Sequence, residues 1–121
     1  MNSILVIDDN STCRDSMTKI LEREGYSVQG VKDVPSALEA LNVQPYDMLV
    51  CDYRMPGRTG LELLSELRQA RRAMPVVMVS AFADDDTEAA AKRLGAGVLL
   101  RKPFRRQQLV DEARRCLRPG S

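Results

Sequence analysis

The sequence predicts an α/β fold, a (βα)5 doubly wound three-layer α/β/α sandwich on a five-stranded parallel sheet. Five short segments rich in Val, Ile and Leu alternate with five stretches that carry apolar residues at helical spacing. No repeat, linker or low-complexity tract interrupts the alternation. Strands joined through helices run parallel with right-handed crossovers, and near-continuous apolar strands require helices on both faces. A length of 121 residues suits one such domain. The expected core spans about residues 3–117, with 118–121 as a tail or the start of a linker.

Each element has its own warrant. Ser3 to Ile7 opens as a strand, and Thr12 to Glu24 follows as a helix with Cys13, Met17, Ile20 and Leu21 on one face, ended by Gly25. Ser27 to Val31 is the least apolar strand and therefore an edge. Asp33 caps the second helix, which has Pro35 in its first turn and Val34, Ala37, Leu38 and Leu41 facing inward. Met48 to Cys51 is the third strand. A loop from Tyr53 to Thr59, holding Pro56 and Gly57, leads past Gly60 into a helix that buries Leu61, Leu64 and Leu67. Val76 to Val79 is the fourth strand. Asp85 and Glu88 have capping-box spacing before an alanine-rich helix that runs to Leu94 and closes at Gly95. Val98 to Arg101 is the fifth strand. Beyond Lys102 and Pro103, the last helix carries Leu109, Val110, Ala113, Cys116 and Leu117 on one face and arginines on the other.

Composition removes several kinds of chemistry. Eighteen Lys and Arg against 17 Asp and Glu give a net charge of +1, far from the basic excess of a phosphate-backbone binder. The longest aliphatic runs, such as Ile4 to Ile7 and Val76 to Val79, are much shorter than the ~20 residues of a membrane span, and no secretory signal is expected. The chain has no histidine, which disfavours hydrolase triads and typical zinc sites. Cys13, Cys51 and Cys116 are odd in number and sit in apolar patterns, so they read as buried, unreactive core residues in a reducing compartment.

Carboxylates, hydroxyls, Lys and Arg remain, and the fold selects among them. In open parallel sheets, ligands bind beyond the carboxyl ends of the strands. Asp8 and Asp9 follow the first strand, Asp52 the third, Ser80 the fourth and Lys102 the fifth. Alone, an Asp pair before a helix is most often a solvated turn or cap. Together, four of the five strands deliver an ionisable or hydroxyl group to one rim, and chance accounts poorly for that. Three carboxylates against one ammonium sum to minus two, and their repulsion would raise carboxylate pKa values unless a cation intervened. An all-oxygen, half-open set suits Mg2+. Mg2+ leaves room for a phosphoryl group, with Asp52 as nucleophile, Asp8 and Asp9 as metal ligands, and Ser80 and Lys102 as donors.

These residues resemble the receiver domain of two-component response regulators, a CheY-like superfamily. The likeness runs from Ile4-Leu-Val-Ile-Asp-Asp through Asp52-Tyr-Arg-Met-Pro-Gly and Gly60 to Arg101-Lys102-Pro103-Phe104. It implies the flavodoxin-like strand order 2-1-3-4-5. It further implies that Asp52 accepts a phosphoryl group from a phosphohistidine on a sensor histidine kinase or histidine phosphotransfer protein. By the same resemblance, Asp9 and Asp52 ligate Mg2+ directly, Asp8 helps through water, and the backbone carbonyl of Arg54 completes the protein ligands. Lys102 would contact a phosphoryl oxygen. Ser80 would bond the phosphoryl group once it is present, shifting the face formed by the fourth helix, fifth strand and fifth helix for dimerisation or output. Pro103 would follow a cis peptide bond that aims Lys102. Arg54, Ala81 and Phe82 lie where the phosphoryl lifetime and the switch are modulated, and Leu99 stands where an aromatic residue is usual.

The resemblance implies a signalling switch rather than an enzyme, located in the cytoplasm, with no direct nucleic-acid or membrane contact by this domain. Two other readings compete. A haloacid-dehalogenase-like phosphohydrolase would place its nucleophile after the first strand as Asp-x-Asp, where this chain has Asp8-Asp9-Asn10. A pseudo-receiver that only docks would not need the intact acceptor set. Charge is uneven: residues 1–60 carry 6 basic and 9 acidic groups, whereas residues 61–121 carry 12 and 8. The arginines of the last helix read first as a solvated face. A sharper alternative has Arg105, Arg106, Arg114 and Arg115 meeting an acidic partner, such as Asp84 to Asp86 of a second copy.

Overall fold

The computed structural model describes residues 2–55, 59–70, 74–81, 85–96 and 98–117. Strands and helices alternate as β1 (Ser3–Ile7), α1 (Ser11–Arg23), β2 (Ser27–Val31), α2 (Val34–Val43), β3 (Met48–Asp52), α3 (Gly60–Gln69), β4 (Val76–Ser80), α4 (Asp85–Arg93), β5 (Val98–Arg101) and α5 (Arg106–Cys116). All neighbouring strands pair in parallel, in the order β2-β1-β3-β4-β5. The chain moves outward from β1 to β2, then crosses back to β3. Strand order therefore reverses between β1 and β3, where Ile4 faces Met48 and Ile7 faces Cys51 in register. A crevice opens at the carboxyl ends of such a reversal.

Strand side chains alternate between two cores. Leu5, Ile7, Leu49, Cys51, Val76 and Met78 pack with α2, α3 and α4, whereas Ile4, Val6, Met48, Val50, Val77 and Val79 pack with α1 and α5. β1, β3 and β4 are buried on both faces, which is why they read as continuous apolar runs. The exposed pattern of β2 fits its place at the sheet edge. Full burial of a Leu, Ile or Val side chain contributes roughly 1.5 to 3 kcal/mol each.

The structure shifts several expected details. Asn10 accepts the backbone N–H of Cys13 at 2.9 Å, so α1 begins at Ser11 rather than Thr12. In α3 the buried stripe is Gly60, Leu63, Leu64 and Leu67, with Leu61 only half-buried, because the close seat of Gly60 under β3 turns that face inward. In α2, Ala40 joins Val34, Ala37 and Leu41 among the buried residues, and Leu38 packs at the margin. β3 and β4 each extend one residue further, to Asp52 and Ser80. Asp85 already lies inside α4, and the residues before it are outside those described. Glu88 pairs with Lys92 and Arg101 at 3.5 and 3.4 Å. Only Cys51 is a fully buried cysteine. Cys13 and Cys116 are half-buried, because they lie at the margins of the apolar stripes of α1 and α5.

Candidate functional site

The sheet itself builds the site. Pairing continues past the strand ends: the Asp8 N–H donates to Val31 O at 3.1 Å, Tyr53 N–H to Val79 O at 2.9 Å, and Lys102 N–H to Ser80 O at 2.8 Å. These bonds fix the backbone beneath Asp8, Asp52, Ser80 and Lys102, so the four side chains rise from a rigid rim. Asp8 and Ser80 are buried at 0% and 1% exposure, Asp52 is buried and Asp9 is exposed.

Lys102 sits between two acids. Its Nζ lies 3.0 Å from Asp8 Oδ2 and 3.6 Å from Asp52 Oδ2. One carboxylate oxygen from each of Asp8, Asp9 and Asp52 falls within 4.8 Å of the other two. Burial, then the charge of Asp8, pushes the Asp52 carboxyl up to about 6, with Lys102 pulling the other way and Asp9 adding to the rise. Burial works against the Lys102 ammonium, but its hydrogen bond to Asp8 and the charges of Asp52 and Asp8 outweigh it and hold its pKa above the ordinary value. Three carboxylates and one ammonium leave two negative charges. Burial raises the Asp52 pKa first, and that excess adds to the rise. The donor set is all oxygen and part of it opens to solvent, which fits a hard divalent cation such as Mg2+.

Access comes from a cavity of about 340 Å3 whose wall includes Asp9, Asp52, Arg54, Ser80, Ala81 and Lys102. A second cavity of about 570 Å3 adjoins it, lined by Asp9, Tyr53, Arg54, Met55 and Thr59. Arg54 is exposed at the border of both. The Lys102–Pro103 peptide bond is cis. Leu99 is half-buried and packs against the core of α2, α3 and α4. Phe82 lies outside the described residues, as do Pro56, Gly57 and Asp84.

Three supports of the site were not legible as such in the sequence. Gly60 N–H donates to Tyr53 O at 2.8 Å, and a Cβ on Gly60 would lie 2.6 Å from Asp52 O. Only a glycine brings the start of α3 that close to the Asp52 backbone. Asn10 binds both ends of its turn, donating its N–H to Asp8 Oδ1 at 2.9 Å and capping α1. Arg14 Nη1 donates to Asp8 O at 2.9 Å. One sequence signal pointed to Arg14: a glycine inside a strand marks a close approach, and Gly30 in β2 is where the Arg14 stem lies.

The chain is similar to known proteins in sequence and in fold. A family model described as response regulator receiver domain matches residues 4–114. The sensory transduction protein RegX3 of Mycolicibacterium smegmatis is 31% identical over 121 residues, covering 100% of this chain and 53% of that protein. The chain spans about half the length of the curated relatives it matches. Among solved structures, the receiver domain of NtrX from Brucella abortus is 35% identical with a TM-score of 0.88, covering 94% of this chain and 97% of that one. Chemotaxis protein CheY4 of Vibrio cholerae is 27% identical with a TM-score of 0.90, covering 97% and 99%.

Proposed function

The chain belongs to the response regulator receiver domain family, and we propose that it is a phospho-accepting switch in which Asp52 takes a phosphoryl group from a partner's phosphohistidine. The observation that carries this reading is the packing of three carboxylates within 4.8 Å at the rim, with Lys102 bridging two of them. An Asp52 oxygen attacks phosphorus, the P–N bond to the partner's imidazole breaks as the O–P bond forms, and the imidazole leaves with a proton from solvent. Lys102 is hydrogen-bonded to Asp8 at 3.0 Å and lies 3.6 Å from Asp52 Oδ2, so its ammonium already stands where it can meet a phosphoryl oxygen. Ser80 stands at the end of β4 on the same cavity, where its hydroxyl can bond the new group. Asp8, Asp9 and Asp52, with the Arg54 carbonyl, would hold Mg2+. Bound there, the metal would supply positive charge to the phosphoryl oxygens.

The switched output is the face of α4, β5 and α5, used for dimerisation or for contact with an output domain or partner. Leu99 lies under that face with its side chain in the α2–α4 core, so ordering at Ser80 would be passed on through aliphatic packing. Arg54 and Ala81, on the cavity wall, would govern access of hydrolytic water, and so the phosphoryl lifetime. No helix among the described residues is long and apolar enough to cross a membrane. A kinase or phosphotransfer partner acting in the cytoplasm completes the proposal.

Exposure to acetyl phosphate or beryllofluoride with Mg2+ tests it. Wild type gains the acyl phosphate or its analogue, read by intact mass or by fluorine NMR, and Asp52→Asn gains neither. Equal modification of both would overturn the assignment.

A further inference from the structure

Asp8 and Asp9 are adjacent, yet they are held very differently. Every polar group of Asp8 is engaged: its N–H donates to Val31 O, Oδ1 accepts from Asn10 N–H, Oδ2 accepts from Lys102 Nζ, and its carbonyl accepts from Arg14 Nη1. Asp9 is exposed, and its carboxylate has no hydrogen bond or ion pair among the described residues. Backbone alone aims Asp9. The peptide joining the two residues is planar, so the direction of the Asp8 carbonyl sets the direction of the Asp9 N–H and restricts the path to its Cα.

We propose that Arg14 is a positioning residue for the metal site, fixing the Asp8–Asp9 peptide so that the Asp9 carboxylate faces Asp8 and Asp52. This inference rests on the metal-binding reading above. Arg14 belongs to the first turn of α1, and its own N–H donates to Asn10 O at 2.9 Å, which anchors its backbone to the same turn. Its side chain must then travel back across the edge of the sheet to reach Asp8. β2 makes the path. At Gly30 a Cβ would stand 3.0 Å from Arg14 Cγ and 3.2 Å from Cδ, closer than side chains ordinarily pack. A missing side chain on the edge strand thus opens the groove for the arginine stem. The guanidinium meets a carbonyl rather than a carboxylate, so it orients the acidic turn without occupying an oxygen that a cation would need. Groups that hold ligands in place tune metal affinity strongly even when they never touch the ion.

Mg2+ binding to the purified chain separates this from a merely structural part. Arg14→Met keeps the stem against Gly30 and removes the donor, whereas Arg14→Lys restores a donor. Titration calorimetry with Mg2+ alone should show affinity roughly tenfold weaker for Arg14→Met and within about threefold of wild type for Arg14→Lys. Gly30→Val should push the stem aside and weaken binding like Arg14→Met, and the double variant should be no weaker than either single one. In metal-free protein, the amides of Asp9 and Asn10 should exchange faster in Arg14→Met, with the thermal midpoint within a few degrees of wild type. Unchanged Mg2+ affinity in Arg14→Met, or equal loss in Met and Lys variants, would overturn the proposal. A wild-type chain that binds no Mg2+ would instead overturn the metal site itself.

Discussion

Two charge clusters on this domain differ in burial far more than in contact distance. At the rim, Lys102 Nζ lies 3.0 Å from Asp8 Oδ2, with side chains 19% and 0% exposed. Between α5 and α1, Arg114 Nη2 lies closer, 2.6 Å from Glu24 Oε1, but those side chains are 62% and 18% exposed. Water screens the second pair. A pair at about 4 Å is worth ~1 kcal/mol in bulk water and several times more where the effective dielectric constant is lower. Among the described residues, only at the rim is an acid pushed up to about 6. Burial, not the number of charges, separates the two clusters. The arginines of α5 also find acids within their own chain: Arg106 and Arg114 share Glu24, and Arg115 meets Glu112. That pairing supports the solvated-face reading of α5 over an acidic partner.

The contrast can be broken from either side. Removing the cation at the rim should have the largest effect. Lys102→Met leaves Asp8 and Asp52 without their ammonium and should cost about 3 kcal/mol or more in urea unfolding at pH 8. The cost should shrink toward pH 5, as Asp52 takes up a proton. A pH-independent loss would mean that packing rather than charge is at stake.

The second effect follows from Asp52 itself. Its folded pKa of about 6 stands above the ordinary 3.8, so its contribution is full below pH 3.8 and is lost as pH rises through 6. Metal-free wild type should therefore fall behind Asp52→Asn between about pH 4 and pH 6, by roughly 1 to 3 kcal/mol once Asp52 is ionised in the folded and the unfolded chain alike. Saturating Mg2+ should close the gap. Parallel stability curves across that range would contradict the raised pKa.

Crowding beneath Asp52 gives a smaller effect. Gly60→Ala sets a methyl 2.6 Å from Asp52 O, where backbone must move, and should destabilise by about 1 to 3 kcal/mol in thermal or urea melts. The exposed cluster should respond least. Glu24→Gln removes the shared partner of Arg106 and Arg114 and should cost under 1 kcal/mol, vanishing at high salt. A larger, salt-resistant loss would place that pair with the rim after all.

Much of this was legible along the chain. The alternation of apolar strands and amphipathic helices, the low apolarity of β2, and the Asp33 cap all arise from local periodicity and short-range bonding, and the structure shows each of them. The candidate site residues came from one rule about strand ends, because a parallel sheet carries every such end to the same rim. Boundaries shifted where a side chain chose between near-equal local partners. With Asn10 as its cap, α1 begins at Ser11 rather than Thr12, and Leu63 rather than Leu61 turns inward in α3. The contacts of Gly60 with Asp52 and of Arg14 with Gly30 were not legible in full, because periodicity carries no information about such pairs and the glycine inside β2 only hints at the second.

By itself the sequence determined the element types, the fold class and the chemical inventory: carboxylates, a hydroxyl and an ammonium, with no histidine. Those depend on composition and on residues a few positions apart. Tertiary structure alone decided how buried each charge is, and with it which acid is perturbed. Asp8, Asp9 and Asp52 are the same side chain in one dimension. In three, Asp8 is sealed among four hydrogen bonds, Asp9 faces solvent, and Asp52 is caught between burial and two like charges. Desolvation and Coulomb interaction depend on distances through space, and only the folded sheet sets those.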